Sequence, residues 1–241
     1  MSEKAKGDLS ALSASTRERL DELKNALVKS LGDDLVAIVV YGSAARGGYK
    51  EGQSDVDLAV VLKAAPRDKL EKISNVMQLA RYSARIESII LTADEIARAA
   101  DVFPLLYDDI KRCHVTLHGA SPFDSLAIAD KHRRLRIEQE LREAQIRLRR
   151  AVVDGLGASN ALAGAVLRKA KQVRGPLHAL LELKGIACDD DLASVLTKSG
   201  EVWGADAATI RKAKEEPGKA HDALVALLAK ATDDADKMED K

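Results

Sequence analysis

The sequence predicts an α+β chain, with strands and helices interleaved over its first half and helices alone after that. Three observations carry this. The runs "DLVAIVVYGS", "DVDLAVVL" and "ARIESIIL" are strand-like and alternate with amphipathic segments. Strand-like runs vanish beyond "GASPF" and charged, alanine- and leucine-rich segments take over. Finally, a polar, glycine-rich connection at residues 42–55 joins the first two strands and sets two acids against an apolar strand.

Taken in order, the first nine residues are polar and expected to fray. Leu12, Leu20, Leu23, Leu27 and Leu31 then recur at helical spacing in a segment opened by Ser15 or Thr16. The run ending at Gly42 is too short for a buried helix and too apolar for an edge, so it reads as a central strand. Pro66 ends the second strand before the amphipathic stretch Leu70, Ile73, Val76, Met77 and Ala80. After the third strand Thr92 caps a helix over "ADEIARAA", a helical stretch follows Pro104, and "HVTLHG" is a short fourth strand.

A boundary near Ser121 and Pro122 divides a first domain, 10–120, from a second, 124–232. Ile137, Leu141, Ala144, Leu148 and Ala151 form one stripe of a long helix within Asp124–Asp154. "DGLGASN" stops it, and Ser159 or Asn160 caps a successor that reaches Leu183. Two or three shorter helices over "DDLASVLTKS", "DAATIRKAKEE" and "GKAHDALVALLAKA", separated by Gly200, Gly204 and Pro217, complete an all-α bundle with a disordered acidic tail, "DDADKMEDK".

Composition narrows the partners. The 241 residues carry 38 basic and 38 acidic side chains, so nothing in the balance calls for a nucleic acid or an anionic membrane. No apolar run approaches the roughly 18 residues of a membrane helix. Cys113 and Cys188, with no signal peptide ahead of them, are expected to be reduced thiols in a soluble, cytoplasmic protein.

The chemistry concentrates in "YGSAARGGYKEGQSDVDLAVVL". In a strand, Asp55 and Asp57 point to one side while Val56 and Leu58 point to the other. Two carboxylates so placed repel, and a divalent cation relieves the conflict by taking oxygens from both. Gly42 and Ser43 stand where a strand gives way to a short helix; glycine there lets backbone N–H groups approach a phosphate, and the Ser43 hydroxyl adds a donor. Arg46 follows on the same side of that turn, either for phosphate oxygens or for an ion pair with Glu51 or Asp55. The bland alternatives are an acidic edge strand and a strand-ending turn.

Gly42-Ser43, residues 44–54, then Asp55-Val56-Asp57 between apolar strands resembles the signature of the DNA polymerase β-type nucleotidyltransferase superfamily, in particular its minimal nucleotidyltransferases and aminoglycoside adenylyltransferases. The likeness covers residues 30 to 120. It implies a small mixed sheet with flanking helices, two Mg2+ ions, and ATP or another nucleoside triphosphate. It also implies a third acid on a neighbouring strand; Glu87, which interrupts "ARIESIIL", is the candidate, either as metal ligand or as general base. The alternative for Glu87 is an outward-facing edge residue.

The implied reaction is in-line attack of an acceptor hydroxyl on the α-phosphate, with pyrophosphate leaving. The helical domain would recognise the substrate or a partner, with the acceptor in a cleft between domains. The acceptor is expected to be a small hydroxylated molecule of the aminoglycoside kind; a protein hydroxyl, as in antitoxin-type members that AMPylate a toxin, is the second reading, and a nucleotide-binding module without transfer the third. A homodimer is compatible with the sequence. The run "KHRRLRIEQELREAQIRLRR" at 131–150 is either the solvated face of a helix or a basic surface for an acidic partner, and Glu138, Glu140 or Glu143 within it could supply a base. Arg174 and His178 are spaced more closely than in HEPN-type ribonucleases, so His178 reads as a core-edge residue and Trp203 as a packing one.

Overall fold

The strand after Gly32–Asp34 is apolar without interruption because it lies in the middle of a sheet, with both faces covered. In the computed structural model, which describes residues 7–156 and 158–238, β1 (Leu35–Tyr41), β2 (Val56–Leu62), β3 (Ile86–Thr92) and β4 (Val115–Gly119) form one sheet in the order β3-β2-β1-β4. β1 is antiparallel to β2 and β4, while β2 and β3 run parallel, so the sheet is mixed. The parallel pair requires a crossover, supplied by α3 (Arg67–Ala84).

One sheet face is packed by α1 (Ala14–Leu31) and α3: Leu20, Leu23, Leu27 and Ile73 are buried in one cluster with Ile38, Val40, Leu58 and Val60. A register irregularity between Leu35 and Ala37 lets Leu35 join that cluster despite its odd number. Ala37, Val39, Ala59 and Val61, on the other face, are buried as well. After β1 comes a single turn, α2 (Gly42–Ala45); after β3 come α4 (Ala93–Arg98) and α5 (Pro104–Arg112). Thr92 and Glu95 cap α4 reciprocally.

Some local details differ from the sequence reading. Ser13, not Ser15 or Thr16, caps α1, accepting the Thr16 N–H at 3.2 Å. Residues 7–9, expected to fray, are anchored: the Gly7 and Asp8 N–H groups donate to His114 and Ala45 carbonyls, and Leu9 packs on the core. The rest of that segment, residues 1–6, lies outside the described residues.

The chain divides into two compact units between Ala127 and Ile128. The second holds α6 (Asp130–Asp154), α7 (Ser159–Leu183), α8 (Leu192–Trp203), α9 (Ala207–Arg211) and α10 (Pro217–Asp236). Ile137, Leu141, Ala144 and Leu148 of α6 are fully buried, as their spacing requires. Neither Ser159 nor Asn160 caps α7; Ala158 stands at that position with no side-chain bond. Gly200 lies inside α8 instead of separating helices, because a Cβ there would meet the Ala205 carbonyl at 2.7 Å where the chain turns toward α9.

The acidic tail begins as helix, a further correction. Asp234 accepts from Trp203 Nε1 at 2.8 Å and pairs with Lys184 at 2.7 Å, and Ala235 is buried, so tertiary contacts hold residues that composition alone would leave loose. Residues 239–241 lie outside the described residues. Cys113 and Cys188 are free, with burial raising the pKa of both. Among the described residues no helix is long and apolar enough to cross a membrane.

Candidate active site

The register of the sheet assembles the site. Asp57 of β2 pairs with Tyr41 at the end of β1 and with Glu87 of β3, which puts it in a row across the sheet between those two residues. Alternation keeps Asp57 off the face that carries Val56 and Leu58, and Asp55, two residues earlier, shares its side. Immediately after Tyr41 the chain turns at Gly42, whose φ of 71° belongs to glycine's range. A Cβ at Gly42 would overlap Asp57 Oδ2 and lie 3.1 Å from its Cγ. The Gly42-Ser43 backbone is therefore laid directly against the second acid of the motif. The Ser43 carbonyl accepts the Gly48 N–H at 3.0 Å, closing the turn.

Charge is unevenly distributed over these acids. Burial, then the Asp55 carboxylate, pushes the Asp57 pKa up to about 6; Arg46 offsets part of this, while Asp109 and Glu87 add to it. Tyr41 is raised too, by burial and by Asp57 and Asp109. The outer acids are engaged. Asp55 Oδ1 accepts from Arg85 Nε at 2.9 Å, with Nη2 of the same guanidinium 2.7 Å away in the ion pair, and Glu87 Oε1 accepts from Arg81 Nε at 2.9 Å.

Arg46 pairs with an acid on α5 that the sequence did not single out. Its Nη1 donates to both oxygens of Asp109 on α5, at 2.6 and 2.8 Å, with both side chains only about one-fifth exposed. Asp109 was not foreseen, since nothing in "YDDIKR" marks one aspartate over its neighbour. Arg81 and Arg85 were missed for the same reason. Arg174 and His178 belong to the packing of the helical unit: Arg174 pairs with Asp190, and buried His178 bonds the Cys188 carbonyl through Nε2 at 3.1 Å.

The acids offer only hard oxygen donors, the kind magnesium takes, and Asp57 sits among carboxylates with too little positive charge, so the residues fit that ion. No group of three or more His, Cys, Asp or Glu stands assembled as a metal site among the described residues. Asp55 and Glu87 are turned to their arginines instead.

A sequence model of the family described as "Nucleotidyltransferase domain" matches residues 20–146, more than half of the chain. The chain belongs to the nucleotidyltransferase domain family. The match takes in the Gly42-Ser43 turn, Asp55, Asp57 and Glu87. Two curated relatives come from Methanocaldococcus jannaschii, both candidate protein adenylyltransferases: MJ1305 is 31% identical over 83 residues, 32% of this chain and 56% of that protein, and MJ0141 is 36% identical over 73 residues, 30% of this chain and 72% of that one. The chain thus spans just over half the length of the first of them. Among solved structures, a spectinomycin adenyltransferase, AAD(9), from Enterococcus faecialis with ATP and spectinomycin is similar in fold, with a TM-score of 0.52 at 14% identity over 92% of this chain and 99% of that one. That likeness extends over the helical unit as well as the sheet.

Proposed function

We propose that this nucleotidyltransferase moves AMP from ATP to a hydroxyl of a small, hydroxylated acceptor, with magnesium. The observation that carries the reading is the contact of Gly42 with the Asp57 carboxylate, which gives the phosphate-approaching turn and the paired acids one location.

In this reading the Gly42-Ser43 backbone and the Ser43 hydroxyl bind the phosphates, while Asp55 and Asp57 hold magnesium. The bound ion supplies positive charge to the phosphate under attack and to the departing pyrophosphate. Glu87, beside Asp57 in register and 43% exposed in its side chain, receives the acceptor's proton and passes it to water. The acceptor oxygen forms the new bond to the α-phosphorus as the bond to pyrophosphate breaks. Arg46, braced by Asp109, holds positive charge near Asp57.

The small-molecule acceptor is supported by the fold likeness over nearly the whole chain to a spectinomycin adenyltransferase. A protein acceptor is the second reading, favoured by the two archaeal relatives. Magnesium-dependent pyrophosphate release from ATP, GTP, CTP and UTP against aminoglycosides, lincosamides and cell-extract proteins tests both. Release absent from an Asp55→Asn, Asp57→Asn double variant supports transfer and names the acceptor class; equal release by that variant sinks the reading.

A further inference from the structure

Arg85 is the residue at the site with the least ordinary backbone. It ends α3 with φ 52° and ψ 39°, a left-handed conformation that a non-glycine residue adopts at a cost. Its backbone is fixed on both sides: the N–H donates to the Arg81 carbonyl at 3.0 Å, and its carbonyl accepts the Val56 N–H at 3.0 Å, so the turn is stitched to the start of β2. Its side chain is not fixed in the same way. It is 52% exposed, it pairs with Asp55, and it borders a cavity of about 380 Å³ lined also by Ser15, Thr16, Arg19, Tyr49 and Ser83. A guanidinium with room to move rests on the carboxylate that the proposed function assigns to the metal.

The Arg85 guanidinium lies on Asp55 Oδ1, with Nε 2.9 Å and Nη2 2.7 Å away, so a divalent cation that takes this oxygen competes with the arginine for it. From this, and resting on the proposed function, we infer that Arg85 is a resident counter-charge for Asp55 that yields to the metal and then binds the nucleotide's phosphates. A cation held by Asp55 carries phosphate oxygens to within one side chain's reach of the displaced guanidinium, and arginine's planar fork matches a phosphate. The strained turn keeps the Arg85 stem next to Asp55 in both states. Arg85 is thus a triphosphate-binding residue outside the Gly-Ser turn.

The test compares wild type, Arg85→Gly, Arg85→Lys and Asp55→Asn by calorimetry on the full chain, with Mn2+ alone and with α,β-methylene-ATP in excess Mg2+. Arg85→Gly removes the side chain while suiting the left-handed backbone, so thermal unfolding should show it folded. Freed of its competitor, Asp55 should bind Mn2+ about 2- to 5-fold more tightly in Arg85→Gly, the range of an exposed ion pair. Affinity for the nucleotide should fall about tenfold, one charge-assisted bond, and Arg85→Lys should recover part of it.

These opposite signs separate the role from a merely structural one. A fall in both affinities, or no change in either, while Asp55→Asn still weakens Mn2+ binding, overturns this inference and leaves the proposed function standing. Unaltered Mn2+ and nucleotide binding in Asp55→Asn overturns both.

Discussion

The two units carry their charges in different ways. In the helical unit, α6 pairs much of its charge along its own length: Arg134 with Glu138, Arg142 with Glu138, Arg136 with Glu140, Arg147 with Glu143 and Arg150 with Asp154, all four residues apart. Around the candidate site in the sheet unit, pairs join distant segments, Arg46 to Asp109 across 63 positions and Arg85 to Asp55 across 30. The arginine-rich run at 131–150 is therefore a ladder of local pairs, with its glutamates already engaged. The smaller charge cluster at β2 is made by the fold, and there one acid, Asp57, is left with an excess of negative neighbours. Net charge says little about either; what differs is whether the helix repeat or the sheet register sets the partners.

The largest effect expected is at Asp57. Asp57→Asn should lower turnover by about 10²–10³-fold, the scale of losing a main electrostatic contact, measured as pyrophosphate release. The same change should stabilise the metal-free protein. Because the folded pKa, about 6, lies above the reference value of 3.8, the folded state binds more protons between those values. Stability from this group is then highest below the lower value and falls as pH rises through the window, by about 3 kcal/mol at most. Denaturant unfolding at pH 8 should show Asp57→Asn more stable than wild type, with the gap closing toward pH 4. A destabilised Asp57→Asn at pH 8 would break the contrast drawn above.

Next comes the distant pair. Asp109→Ala leaves Arg46 partly buried without that carboxylate and should cost about 2–3 kcal/mol in denaturant unfolding, more than either residue's exposed counterparts on α6. Gly42→Ala should cost about 1–3 kcal/mol for its left-handed backbone and, by pressing on Asp57, should also lower turnover. The smallest effect belongs to the ladder: Glu143→Gln should leave the denaturant midpoint nearly unchanged, and 1 M salt should erase any difference. A loss comparable to that of Asp109→Ala would mean that α6 is not the local ladder described.

Much of the fold could be read in advance because local periodicity reports it. Each of the four strands was visible as a run, Thr92 announced its cap, and the α6 stripe pointed to its buried side. Misreadings arose where a distant contact overrode local signals. Asp233–Asp236 reads as a loose acidic tail, yet Trp203 and Lys184 hold it helical. Gly200 reads as a breaker, yet close packing at the α8–α9 turn makes it a helix residue.

The sequence by itself determined the mixed character of the first unit, the helical second, the spacing that puts Asp55 and Asp57 on one side of a strand, and the glycine turn at Gly42, because strand alternation and glycine's backbone freedom are properties of a few consecutive residues. Only the tertiary structure decided that Glu87 stands beside Asp57, that Arg46 goes to Asp109, and that Arg85 rests on Asp55 from a strained turn. Those depend on strand register and helix crossover, which bring together residues that nothing in the intervening chain identifies as neighbours.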